Sequence, residues 1–179
     1  VPRSIAVKEE LGKLRENPEL FRRRGMRVYS GSGKERVEID YENHDWNSVT
    51  ADNFEYSFVQ DPGAGNALGG IKFLFPNKDN VYLHDTPTRT LFSHDVRAFS
   101  HGCIRIEKPL DLAGYLLSPT GKWERDRIEK ASKSGKEQMV PLPEKLPIHI
   151  IYLTAWADEG GTHFRRDIYR YDAKAAEFF

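Results

Sequence analysis

The sequence predicts a mainly β fold with helices, an α+β domain, and three observations predict it. Short runs rich in β-branched and aromatic residues recur between turns that carry glycine or proline. Helix signals gather at the N-terminal end and again over residues 109–134. No internal repeat, low-complexity tract or linker divides the 179 residues, a length that supports one domain with a sizeable core.

Taken in order, Ser4 is the expected cap of a helix running to about Arg15, with Ile5, Leu11 and Leu14 as its buried positions. Asn17-Pro18 reads as a cap followed by proline in the first turn of a second helix, and Gly25 as its stop. Arg22-Arg23-Arg24 reads as a solvated charge run near that helix C-terminus. Met26 to Tyr29 and Arg36 to Ile39 are expected strands of a hairpin around Gly31-Ser32-Gly33. Tyr41 to Asn53 is polar with little period, a loop or a weak helix in which His44 and Asp45 are surface residues.

Tyr56 to Gln60 is the next strand, and Asp61 to Asn66 a turn-rich loop that Gly69-Gly70 prolongs. A phosphate-binding glycine loop is the alternative there, but no Gly-Lys-Ser/Thr follows. Ile71 to Phe75 and Val81 to Asp85 are further strands. Alternation puts Val81 and Leu83 on one face, most simply toward the core, and sends Tyr82 and His84 together toward a cleft or solvent. Leu110 to Leu117 has helical spacing, with Pro109 near its start. Trp123 to Ser134 is a charged helix expected to run from a cap at Thr120 to Gly135, with Trp123, Arg127 and Lys130 on a half-buried face. Ile148 to Thr154 is the strongest strand by composition, and Ile168 to Tyr171 a last strand before a short helix from Asp172.

Composition narrows the function. The chain is 39% hydrophobic and 30% charged, the balance of a globular protein. Its 27 Lys and Arg match its 27 Asp and Glu, which removes any bulk-charge argument for nucleic acid as a partner. No window has the apolar length of a membrane span. Val1-Pro2-Arg3-Ser4 has no charged start followed by an apolar run, and this leaves the compartment undecided. One cysteine excludes an internal disulfide.

That cysteine lies in Ser100-His101-Gly102-Cys103-Ile104-Arg105, among small and polar residues rather than in an apolar run. If the piece is extended, Ile104 and Ile106 point inward, and the thiol shares the other face with the Arg105 guanidinium. A nearby cation favours the thiolate, the form that attacks carbonyls. Gly102 lets backbone come close to a substrate, and its amide and that of Cys103 are candidate oxyanion donors. His84 and His101 are the candidate bases. His84 comes from the preceding strand, with the Asp85 main-chain carbonyl nearby to orient its ring. His101 shares the thiol's face if the piece is extended.

His84, fifteen intervening residues and then Ser-His-Gly-Cys-Ile-Arg resemble the signature of the L,D-transpeptidase catalytic domain, the YkuD type. Asn66 to Gly69, Lys72 to Asn77, Tyr82 to Pro87, Ile151 to Ala155 and Asp167 to Tyr169 further resemble the large periplasmic YcbB-type subgroup. The resemblance implies a YkuD-like β-sandwich with helical additions, one domain over 1–179 that lacks its opening strands, and a substrate-capping segment within 3–60. It implies Cys103 as nucleophile, His84 as base, the Asp85 carbonyl as orienter and Gly102 at the oxyanion site. Ser100, His101, Arg105 and Tyr82 would contact substrate.

The implied reaction is 3→3 cross-linking of peptidoglycan stem peptides through a cysteine thioester, in the periplasm, with no cofactor and no metal. Carbapenem-type β-lactams are the implied covalent inhibitors. L,D-carboxypeptidase and lipoprotein-anchoring activities on the same site remain open, as does a non-catalytic peptidoglycan-binding fragment. A metal-binding module is a rival from another class, using His84, His94, His101 and Cys103, whose residue types suit zinc but whose spacing fits no familiar finger. His149 and His163 read as ordinary strand and loop residues.

Overall fold

The computed structural model describes residues 1–31 and 33–178 and shows an α+β fold of short helices and three small sheets. Ser32, in the middle of the expected hairpin turn, lies outside the described residues. Among those described, no helix is long and apolar enough to cross a membrane.

The N-terminal helical segment is α1 (Arg3–Ile5), a π-helical turn (Ala6–Glu10) and α2 (Leu11–Glu16). Pro2, not Ser4, precedes its first turn. The Ala6 amide already donates to the Pro2 carbonyl at 2.9 Å, so the ladder starts two residues before the expected cap. Leu11 and Leu14 are buried as expected. Helix α3 (Pro18–Arg23) begins as its sequence dictates: Asn17 Oδ1 accepts from the Leu20 amide at 2.8 Å, and proline takes the first turn, where its missing N–H costs nothing. Gly25, at φ +65°, ends the helix in a conformation glycine adopts without strain.

The arginine run behind it is not uniformly solvated. Arg22 and Arg23 are exposed, but Arg24 turns inward onto Glu10 at 2.6 Å. The π-helical turn leaves the Glu10 side chain buried, so it needs that cation. Burial would raise the Glu10 pKa, but hydrogen bonds from Arg24 and Lys13 outweigh it and hold the carboxyl below its usual range.

Strands β1 (Met26–Ser30), β2 (Val37–Glu38) and β3 (Tyr56–Gln60) form an antiparallel sheet in the order β2-β1-β3. Val28 pairs with Phe58, and both point into the core. Phe21 meets Phe58 edge-on with ring centroids 5.3 Å apart, a favoured aromatic arrangement. The polar stretch 41–53, expected as a loop or a weak helix, forms two 3₁₀ turns (Tyr41–Asn43 and Trp46–Ser48) and brings Trp46 and Val49 into this core. His44 is not a plain surface residue either: its Nε2 lies 2.8 Å from the Tyr56 hydroxyl.

A second sheet contains β4 (Lys72–Phe73), β5 (Leu83–His84) and β6 (Ile104–Arg105), the first two shorter than expected. Helices α4 (Pro109–Leu117) and α5 (Arg125–Ser132) pack beside it through Ala113, Leu117 and Ile128, with Phe73 and Trp123 against them. Thr120 does not cap α5. It serves the preceding turn, accepting from the Lys122 amide at 3.2 Å, and α5 starts after Glu124. Ile128 is the buried residue of α5; Arg127 is exposed and lies 4.4 Å over the Trp123 ring.

Two expected strands are absent. Ile148 to Thr154 forms no ladder, and Ile151 is 73% exposed. Propensity makes a strand only where a partner edge is at hand. The next residues find one locally, as β7 (Ala155–Asp158) and β8 (Gly161–Phe164) close a two-residue hairpin. Ile168 to Tyr171 is a turn instead. The Asp167 carboxylate accepts from the Tyr171 and Asp172 amides at 3.0 and 2.8 Å and starts α6 (Tyr171–Ala175).

Candidate active site

The register of the second sheet assembles the site. Strand β5 pairs antiparallel with β4 and parallel with β6, with Leu83 opposite Ile104 and His84 opposite Arg105. The Ile104 amide donates to the Tyr82 carbonyl at 3.1 Å, which carries the same register one residue back and sets Tyr82 beside Cys103. Side chains alternate along a strand, so Tyr82, His84, Cys103 and Arg105 share one face. His84 then lies diagonally from Cys103. With strands about 4.8 Å apart and a rise of about 3.3 Å per residue, that diagonal is about 8 Å between Cα atoms, a gap that an imidazole and a thiol span together.

The face carrying His84 is more closed than expected. His84 is 3% exposed, whereas Val81 and Leu83 are only half-buried. Burial is the main reason that the His84 pKa falls below the ordinary 6.5; the Asp85 carbonyl opposes it, and the Arg105 charge adds to it. The ring is therefore neutral at pH 7. Its Nδ1 donates to the Asp85 main-chain carbonyl, which leaves Nε2 as the proton acceptor. The Tyr82 ring stands 6.0 Å from that of His84. Its hydroxyl pKa is pushed up, first by burial and then by the charge of, and a hydrogen bond with, Cys103.

The residues just before the cysteine depart from an extended piece. Gly102 has φ +140°, a region that L side chains rarely adopt, and a Cβ there would also meet Val81 Cγ2 at 3.3 Å. The strand alternation therefore does not carry back to His101. His101 instead reaches the N-terminal segment, with its Nε2 2.7 Å from Glu9 Oε1. Ser100 Oγ accepts from the Gly102 amide at 3.3 Å. His94 stays at the exposed end of the connection, edge-on to Phe99. No group of three or more His, Cys, Asp or Glu gathers at metal-binding spacing among the described residues.

The profile of the YkuD family, described as the L,D-transpeptidase catalytic domain, matches residues 2–147. The chain belongs to that family. It is also 34% identical over 171 residues to a Haemophilus influenzae protein named "Putative L,D-transpeptidase". That alignment covers 96% of the chain but 34% of the relative.

In this L,D-transpeptidase domain, sequence reasoning missed Glu9, Arg89 and the part played by Gly69 and Gly70. Arg89 stands four residues after Asp85 and pairs with its carboxylate at 2.5 Å. That spacing was visible in the sequence, although the five-residue 3₁₀ turn that opens at Arg89 (Arg89–Ser93) was not. Gly69-Gly70 read only as punctuation. The Gly70 amide in fact donates to Asp85 Oδ2 at 2.9 Å, and a Cβ on Gly69 would fall 2.4 Å from Asp85 Cγ. Nothing in the sequence pairs Glu9 with His101, which are 92 positions apart.

Proposed function

We propose that the chain is the catalytic domain of a peptidoglycan L,D-transpeptidase that forms 3→3 cross-links through a thioester on Cys103. The supporting observation is the register that puts Cys103, Tyr82, His84 and Arg105 on one face, with His84 neutral and its Nδ1 engaged. Nε2 of His84 takes the Cys103 proton. The thiolate attacks the carbonyl of the third residue of a donor tetrapeptide stem. Terminal D-alanine leaves as an amine with the proton from His84, and a thioester remains. The side-chain amine of a second stem then attacks that thioester and gives its proton to His84, which returns it to the freed Cys103 thiolate as the amide forms.

Backbone amides of Gly102 and Cys103 hold the oxyanion, the Gly102 amide exchanging its long bond to Ser100 Oγ for it. Arg105 binds a substrate carboxylate, and Tyr82, Ser100 and His101 complete the substrate contacts. Residues 3–60 include the substrate-capping segment, a role supported by the reach of Glu9 to His101. The small sheets belong to a β-sandwich in this proposal, and peptidoglycan as substrate implies the periplasm.

Intact-mass measurement after incubation with a carbapenem tests it. One adduct on the wild type, absent in Cys103→Ala, is the expected result. Absence of any adduct on folded protein would sink the acyl-enzyme proposal. Product analysis with stem peptides then separates cross-linking from the alternatives on the same site, since water as acceptor gives tripeptide and a protein lysine gives an anchored stem.

A further inference from the structure

We propose that the Asp85 carboxylate, held by Arg89, is a positioning group that aims the main-chain carbonyl on which His84 rests. The inference builds on His84 as the base of the proposed reaction but concerns how its ring is fixed.

His84 Nδ1 donates to the Asp85 carbonyl, so whatever turns the peptide between Asp85 and Thr86 turns the acceptor. That peptide is planar and trans, with its C=O and N–H pointing in opposite directions. The Asp85 carboxylate grips the N–H end of this same unit: Oδ1 accepts from the Thr86 amide at 2.7 Å. Fixing the N–H therefore fixes the C=O, and with it the direction of the imidazole. Asp85 has two roles here. Its main-chain carbonyl accepts the hydrogen bond of His84 Nδ1, and its side chain aims that carbonyl.

The carboxylate is itself held from two further segments. Oδ2 accepts from the Gly70 amide at 2.9 Å. Oδ1 receives Nη2 of Arg89, whose Nη1 donates to the Glu107 carbonyl at 2.6 Å, just past β6. Arg89 thereby ties the end of β5 to the end of β6, the strand that follows Cys103. The close fit at Gly69 removes slack, since a Cβ there would overlap the carboxylate. The Asp85 side chain is 16% exposed and its bond to the Thr86 amide is partly buried, while the Arg89 and Gly70 contacts stand at the surface. A side chain that merely closed a turn would need only the Thr86 bond. The additional grips on Oδ1 and Oδ2 come from Arg89, between β5 and β6, and from Gly70, just before β4.

The test uses ¹⁵N NMR of the His84 ring together with carbapenem acylation rates across pH. Wild type should show a single Nδ1–H tautomer. In Asp85→Ala the ring should become a mixture of tautomers, and acylation should slow by about tenfold to a hundredfold, as for other outer partners that orient a histidine. Asp85→Asn keeps an oxygen for the Thr86 amide and should restore the tautomer. A folded Asp85→Ala protein with the wild-type tautomer and pH profile would overturn the proposal, as would Asn behaving no better than Ala. If Asp85→Ala does not fold, Arg89→Ala against Arg89→Lys decides: tautomer mixing in the alanine variant that lysine reverses supports the proposal, and an unchanged ring overturns it. Wild type that fails to acylate would refute the transpeptidase proposal alone, because the tautomer is read without any turnover.

Discussion

Phe21 and Cys103 show two ways in which this chain holds a side chain in place. Phe21 is fully buried, edge-on to Phe58 and Tyr41, in a cluster fed by α2, α3, β1, β3 and the 41–53 stretch. Cys103 is half-buried beside a two-residue strand. The cluster near it is small, with Ala113, Leu117 and Ile128 as its buried members. The N-terminal third is fixed by apolar packing. The candidate site is fixed by directional bonds: a short parallel ladder, the Asp85 carboxylate, and the contact of His101 with Glu9. Packing tolerates compromise in any one contact, whereas a set of a few aimed bonds does not. Stability and reactivity should therefore respond to different residues.

The largest effect should come from Phe21→Ala. Emptying that position should cost about 3–5 kcal/mol of unfolding free energy in a denaturant titration. The folded fraction should still alkylate Cys103 at the wild-type rate; a parallel loss of reactivity would break the contrast. Arg24→Ala comes next. It leaves the buried Glu10 with Lys13 alone and should cost about 2 kcal/mol at neutral pH, less than a wholly buried pair because Arg24 is itself one-third exposed. Glu10 has a lowered folded pKa, so the stability it supplies is present above its ordinary 4.5 and lost as pH falls through the lower folded value. The difference between Arg24→Ala and wild type should therefore shrink on acidification.

A smaller effect belongs to His84. Its folded pKa lies below 6.5, so the unfolded chain binds more protons between those two values. Stability should be full above 6.5 and should decline as pH falls toward the folded value. His84→Gln should remove that slope, and in wild type the acylation rate should fall as pH drops through the lower folded value, where His84 itself protonates. The smallest stability change is expected for Glu9→Gln. Both partners of the Glu9–His101 pair are well exposed, so its loss should cost under about 1 kcal/mol. Acylation should nevertheless change more than stability does, because His101 stands two residues from the thiol. If acylation stays constant, the N-terminal segment has no hold on the loop before Cys103.

Much of this was readable before any coordinates. The Asn17-Pro18 start, the Gly25 stop, strand β3 to the residue, and α4 behind Pro109 follow from caps and periodicity, which act within a few residues. The candidate site was readable through one dense stretch around Cys103 and one histidine on a strand. The strand at 148–154 was misread because composition reports a preference for extended backbone and not the presence of a partner. His101 was misplaced because a single glycine φ cancels the alternation on which its position depended.

The sequence by itself determined the Asn17-Pro18 start and Gly25 stop of α3, the start of α4 at Pro109, the alternation that groups Tyr82 with His84 and Cys103 with Arg105, and the family signature. Those depend on neighbours three or four residues away, or on residue identity alone. Tertiary structure decided which of the two β5 faces is buried, that Arg24 turns inward to Glu10, that Glu9 meets His101, and that Asp85 is gripped by Gly70 and Arg89. Each of these joins segments whose approach depends on register and packing, quantities that local propensity does not contain.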